Sequence, residues 1–246
     1  MIDMASVTGA DGVKFQFYEW IDLAHEVSGD VLEMVKQAQL SLKQLSHLRA
    51  RAKKQGLIFG CTPFVNRRRL AQLVQIRPDY VKIRFKDGPS NAADKEGLLG
   101  PALNMNSIRV IHSSVLSRPV DKMSITWSPR IRWLYCLPMY PPAPEDFHPA
   151  QSTSCHGFSD HYPYITASLM AASLTKESRY IVEKHVMLEE HQDVADREVS
   201  ITFDWLEQLV QHLRIMERLR DESKIGNKMW FPNVPVPPRM VKRQRK

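Results

Sequence analysis

Apolar positions fall into short β-type runs, most of them separated by stretches with helical spacing. The runs are Val13-Lys14-Phe15-Gln16, Leu57-Ile58-Phe59-Gly60, Tyr80-Val81-Lys82-Ile83, Arg109-Val110-Ile111-His112, Arg132-Trp133-Leu134-Tyr135-Cys136, a short one around Gly157-Phe158-Ser159, and Tyr180-Ile181-Val182-Glu183-Lys184. Their spacing averages about 30 residues, the length of one βα unit. Such alternation predicts a parallel sheet with helices on its outside.

The helices between the runs carry their own signals. Ser41 and Gln44 fit a capping box, Leu42, Leu45, Leu48 and Ala52 give an apolar stripe, and Gly56 stands where a glycine would end the helix. Pro163 to Leu174 is apolar and Ala-rich, as suits a helix pressed on a sheet, and Ser200 is the expected N-cap of a last long helix buried through Phe203, Leu206, Leu209, Val210 and Leu213. The crossover from Leu116 to Pro129 is too short for a full helix. A barrel of this kind closes with eight strands, whereas this pattern shows seven, preceded by what looks like a helix end through Ile2, Met4, Ala5 and Val7. The expected fold is therefore α/β, a (β/α)8 TIM barrel missing its first strand. It would occupy residues 1–226, with a proline-rich, basic, extended tail over residues 227–246.

Composition adds limits. The chain has 246 residues, 43% of them hydrophobic, enough for one large core. The net charge of +7 is concentrated in Arg49, Arg51, Lys53 and Lys54, in Arg67 to Arg69, and in the tail. No basic stripe with interleaved aromatics or zinc-finger spacing accompanies it, which argues against nucleic acid as a partner. The three cysteines, Cys61, Cys136 and Cys155, have no CxxC spacing and read as reduced thiols of a cytoplasmic protein. There is no signal-peptide pattern and no apolar run near the roughly 18 residues of a membrane span.

Candidate chemistry sits at strand ends. His161 and His185 follow neighbouring runs, and two imidazoles from adjacent strand ends can share a divalent cation. Glu183, two residues before His185, falls on the same strand face and could orient water or move protons. An inward Lys14 would need an anionic partner.

Several of these segments together resemble the N-acetylneuraminate (sialic acid) synthase family. They are Gly9-Ala10-Asp11-Gly12-Val13-Lys14-Phe15-Gln16, Thr62-Pro63-Phe64, Tyr140-Pro141-Pro142-Ala143-Pro144-Glu145-Asp146, Gly157-Phe158-Ser159-Asp160-His161 and Ile181-Val182-Glu183-Lys184-His185. The resemblance implies a (β/α)8 barrel that condenses phosphoenolpyruvate with an N-acylated hexosamine such as N-acetylmannosamine, and it allows a homodimer. It implies Lys14, Lys82, Ser113 (or its neighbour Ser114) and Ser159 as phosphoenolpyruvate-binding residues, and Lys14 and Glu183 as catalytic ones. Tyr140 and Asp196 would face the sugar. His161 and His185 would hold a divalent metal, usually manganese, with Mg2+ or Co2+ as alternatives.

The sequence also departs from the family pattern. The family's Glu-Ile-Gly strand and its small antifreeze-like domain have no counterpart here. Where the family reads Ala-Ser-Gly-Glu after its Lys-Ile pair, this chain reads Arg84-Phe85-Lys86-Asp87, and Pro138 replaces a polar residue ahead of Tyr140. These departures leave room for an inactive homologue that binds a metal, sugar or partner. They also admit another metal-dependent sugar enzyme, an isomerase or aldolase, on the same scaffold, and an anion- or nucleic-acid-binding role for the basic tail.

Overall fold

The computed structural model describes residues 1–64, 67–87, 98–108, 110–116, 128–177, 179–190 and 194–220. Eight parallel strands form one sheet in sequence order: β1 Gly12–Phe17, β2 Ile58–Pro63, β3 Tyr80–Ile83, β4 Ile111–Val115, β5 Ile131–Tyr135, β6 Gly157–Asp160, β7 Ile181–Val186 and β8 Ser200–Ile201. The helices are α1 Ile2–Val7, α2 Trp20–Leu23, α3 Gly29–Ala38, α4 Leu42–Lys54, α5 Arg67–Ile76, α6 Leu99–Asn104, α7 Pro149–Ser154, α8 Thr166–Leu174 and α9 Phe203–Arg220. None of these helices is long and apolar enough to cross a membrane.

The sheet curls on itself as in a TIM barrel. Lys82 on β3 reaches Ser159 on β6 and Glu183 on β7, and Lys14 on β1 reaches the same Glu183. Strands so far apart in the ladder can touch only across the inside of a cylinder. Among the described residues no ladder joins β8 to β1. That seam is instead bridged by α9, where Arg214 donates to Asp11 and Val210 lies against Gly9. Outside the sheet, Leu45, Leu70, Leu73 and Ala171 of α4, α5 and α8 are fully buried with Phe59, Val81 and Ile111. A second cluster, Tyr18, Leu23, Val35 and Phe64, seats α2 and α3 beside the C-terminal ends of β1 and β2.

Most of the expected pattern is present. Each of the seven runs overlaps a strand, and Ser41 does cap α4, accepting from the Gln44 amide while the Gln44 side chain answers the Ser41 amide. Ser200 does not cap the last helix. Ser200 and Ile201 form β8 against His185 and Val186, and Thr202 occupies the capping position, its oxygens accepting from Trp205 and Leu206. A two-residue strand leaves no periodicity to read, so the eighth strand found here follows the other seven. Arg109, most of the crossover between Leu116 and Pro129, and the tail lie outside the described residues.

One glycine is required for the interior to form. A Cβ on Gly60 would stand 2.1 Å from the Tyr80 ring, which is itself stacked on His112 at 4.0 Å. Gly60→Ala is expected to cost about 1–3 kcal/mol, the usual penalty of overpacking, measured as a lower urea midpoint.

Candidate active site at the barrel mouth

Strand alternation decides which side chains enter the barrel. Gly157, Ser159 and His161 share the inner phase with Ile181, Glu183 and His185 across the β6–β7 ladder. On β3 the inner positions are Tyr80 and Lys82, and on β4 they are His112, paired in register with Lys82, and Ser114. Ser113 is one step out of phase. It pairs with Ile83 and Trp133 and points away from the cavity, where its buried hydroxyl has no hydrogen-bond partner. Ser114 is the serine of this strand that faces inward, in phase with His112. Of the two serines that the sequence leaves open, Ser114 and not Ser113 faces the cavity.

The remaining expected residues come together as two halves of one site. In the first half, Glu183 Oε1 accepts from Lys14 Nζ at 3.2 Å, from Lys82 Nζ, and from Ser159 Oγ at 3.1 Å, while Lys82 also donates to Ser159 at 2.9 Å. Both lysines favour the Glu183 anion, and they hold its carboxyl well below the usual range although burial opposes this. Burial pushes the Lys82 ammonium down, opposed by Glu183. Two lysines against one carboxylate leave an excess of one positive charge. Around them Glu183 Oε2, His112 Nδ1 and Thr62 Oγ1 are buried without partners.

In the second half, His161 Nδ1 is 2.8 Å from the Leu137 carbonyl and therefore carries the proton. Its Nε2 is left as an acceptor for the Tyr140 hydroxyl at 3.2 Å. The His161 and His185 rings lie 5.5 Å apart. His185 Nδ1 is 3.3 Å from Asp196, which Gln16 Nε2 also reaches at 3.3 Å. Tyr140 and Asp196 therefore sit beside the two imidazoles, and burial, helped by the Asp196 charge, raises the Tyr140 phenol. Cys136 Sγ, 4.0 Å from His161 Nδ1, lies between the halves.

Four interior residues were not anticipated in these roles: Gln16, Tyr80, His112 and Cys136. The first two could have been found by extending the inner phase two residues from Lys14 and from Lys82. His112 falls in phase only once the β3–β4 register is known.

His112 gives the site a pH signature. Burial lowers its pKa to about 3, and His161 is lowered to about 3 by burial and by neighbouring His185. As pH falls below the ordinary histidine value the unfolded chain gains protons that the folded one refuses, so stability drops between roughly pH 6.5 and 3. By pH 5 each such group costs about 2 kcal/mol. Thermal melts between pH 7 and 4 are expected to show this loss. A His112→Leu variant should lose its share, and one that kept the full slope would contradict the assignment.

Comparison with known proteins agrees with this fold. The family model described as the NeuB family matches residues 1–90 and 120–224. A protein of Methanocaldococcus jannaschii named Uncharacterized protein MJ1065 is 23% identical over 95% of this chain and 69% of its own length. Among solved structures, the N-acetylneuraminic acid (sialic acid) synthetase of Leptospira borgpetersenii superposes with a TM-score of 0.70, at 23% identity over 95% of this chain and 80% of that one. The spore coat polysaccharide biosynthesis protein spsE of Bacillus subtilis gives 0.68 at 22% identity, over 90% of this chain and 64% of that one. A truncated 3-deoxy-D-arabino-heptulosonate 7-phosphate synthase of Thermotoga maritima gives 0.57 at 14% identity, over 90% of this chain and 80% of that one.

Proposed function

The chain belongs to the NeuB family, and from that premise we propose that it condenses phosphoenolpyruvate with an N-acylated hexosamine such as N-acetylmannosamine, giving a nonulosonic acid and phosphate. The observation that carries this reading is the convergence of Lys14, Lys82 and Ser159 on one oxygen of Glu183 inside the barrel. Phosphoenolpyruvate brings a phosphate and a carboxylate, and two ammonium groups with an adjacent hydroxyl match that pair of anions.

The residues of the other half suit a divalent cation. His161 is held neutral, with Nδ1 committed to a carbonyl and Nε2 presenting a lone pair, and the His185 ring is near enough to contribute a second nitrogen. Among the described residues no group of three or more His, Cys, Asp or Glu side chains is arranged around one point, so water and substrate would complete the sphere. The ion, with manganese favoured by the resemblance, would supply Lewis acidity at the sugar's aldehyde oxygen. Asp196 orients His185 through Nδ1, and Tyr140 and Asp196 offer hydrogen bonds to the sugar. Glu183 is placed to hold or release a proton on a water beside the bound anion, its free Oε2 being the open position.

One observation favours a second reading, an inactive homologue that keeps the scaffold and binds a ligand: both lysines already hold Glu183, so an incoming anion must compete with an internal one. Incubation with phosphoenolpyruvate, N-acetylmannosamine and Mn2+ separates the two. Sugar-dependent phosphate release is the expected result. Binding of Mn2+ and phosphoenolpyruvate without release would establish the second reading.

A further inference from the structure

We propose that Asp160 and Lys184, on the outer side of the sheet, are positioning residues that set the separation of His161 and His185. This inference rests on the reading of those histidines as the working nitrogen donors.

The two residues immediately precede the two histidines and are register partners across the β6–β7 ladder. One step back, Ser159 and Glu183 point into the cavity, so Asp160 and Lys184 point outward, beneath α8. There they are sealed from solvent, with side-chain exposures of 0% and 3%. Asp160 Oδ2 lies 3.3 Å from Lys184 Nζ and accepts from Ser168 Oγ of α8 at 2.5 Å. Asp160 Oδ1 accepts from the Tyr162 amide at 2.7 Å, and Lys184 Nζ donates to the Tyr162 carbonyl. The residues before and after His161 are therefore tied to each other and to the strand that carries His185.

A pair buried this deeply gains little net stability, because desolvation opposes the attraction; apolar residues of similar size would often serve as well or better. Burial indeed pushes Asp160 up and Lys184 down from their ordinary values, each opposed by its partner. What an apolar pair could not do is fix both peptide groups of Tyr162. Metal–ligand distances tolerate only about 0.2 Å of error, so a donor on a loop needs such anchoring. Loss of outer-sphere partners typically costs about 10- to 100-fold in metal affinity or activity.

The test compares Asp160→Asn, Lys184→Met and Ser168→Ala with the unaltered chain by three readouts: thermal melting, Mn2+ affinity with the visible spectrum of bound Co2+, and ring 15N–1H correlations of His161 in the metal-free protein. Asp160→Asn and Lys184→Met are expected to weaken Mn2+ binding about 10- to 100-fold, alter the Co2+ spectrum and shift the His161 ring nitrogens. Ser168→Ala, which removes one hydrogen bond, should do the same to a lesser degree while remaining folded. Folded variants with unaltered Mn2+ affinity and unaltered His161 resonances would overturn the proposal. If the two charge variants fail to fold, Ser168→Ala decides alone by the same criterion. If the unaltered chain binds no Mn2+, the metal reading falls, and the His161 resonances still decide whether the outer pair positions that ring.

Discussion

Glu183→Gln is expected to abolish measurable condensation while leaving a folded but weakened protein. Glu183 accepts from Lys14, Lys82 and Ser159 through one oxygen, and its environment holds it ionised. Glutamine preserves the shape and one acceptor but removes the charge. Two buried ammonium groups then face each other without a counter-ion, and breaking a buried pair in this way costs about 3–5 kcal/mol. Lys82, already pushed down by burial, would lose the partner that opposes the shift and would titrate closer to neutrality. A proton-transfer carboxylate contributes about 10²–10⁴ in rate, so turnover should fall by at least that order, and the melting temperature should drop. Added phosphate should recover part of the lost stability, because an anion can replace the missing charge between the lysines. Glu183→Gln with unchanged phosphate release would remove Glu183 from the chemistry.

How much of this was legible in the sequence depended on how local each signal was. The seven β runs could be read because alternation and βα spacing are properties of neighbouring residues. The joint resemblance of the His161 and His185 segments marked both strand ends before any geometry was known. Phase within a strand is harder. Ser113 and Ser114 differ only by which side of the sheet they face, and that is fixed by the pairing of His112 with Lys82, a contact across 30 residues. Ser200 looked like a cap because Ser before an apolar helix usually is one; its two-residue pairing with β7 depends on a ladder partner that no window along the chain reveals. Gln16 and Asp196 meet only because the sheet curls. Asp160 and Lys184 read as ordinary charged neighbours of the histidines, and only their register and the placement of α8 above them turn them into a sealed pair.

Removing either imidazole tests the other half of the site. His161→Ala and His185→Ala are each expected to eliminate Mn2+ binding and, with it, condensation. With two imidazoles close together here among the described residues, loss of one leaves no chelate, and a single imidazole holds a divalent ion weakly against water. The two variants should differ in stability. His161 is nearly fully buried against the Leu137 carbonyl and the Tyr140 hydroxyl, so its removal takes away two hydrogen bonds and leaves a cavity. His185 is more open, and Asp196 can turn to Gln16 when it is lost. His161→Ala should therefore melt several degrees lower, whereas His185→Ala should stay near the unaltered protein and lose metal all the same. That combination, equal loss of Mn2+ with unequal loss of stability, separates ligation from simple unfolding. Unchanged Mn2+ binding in a folded His185→Ala protein would end the case for a shared ion between these two strands.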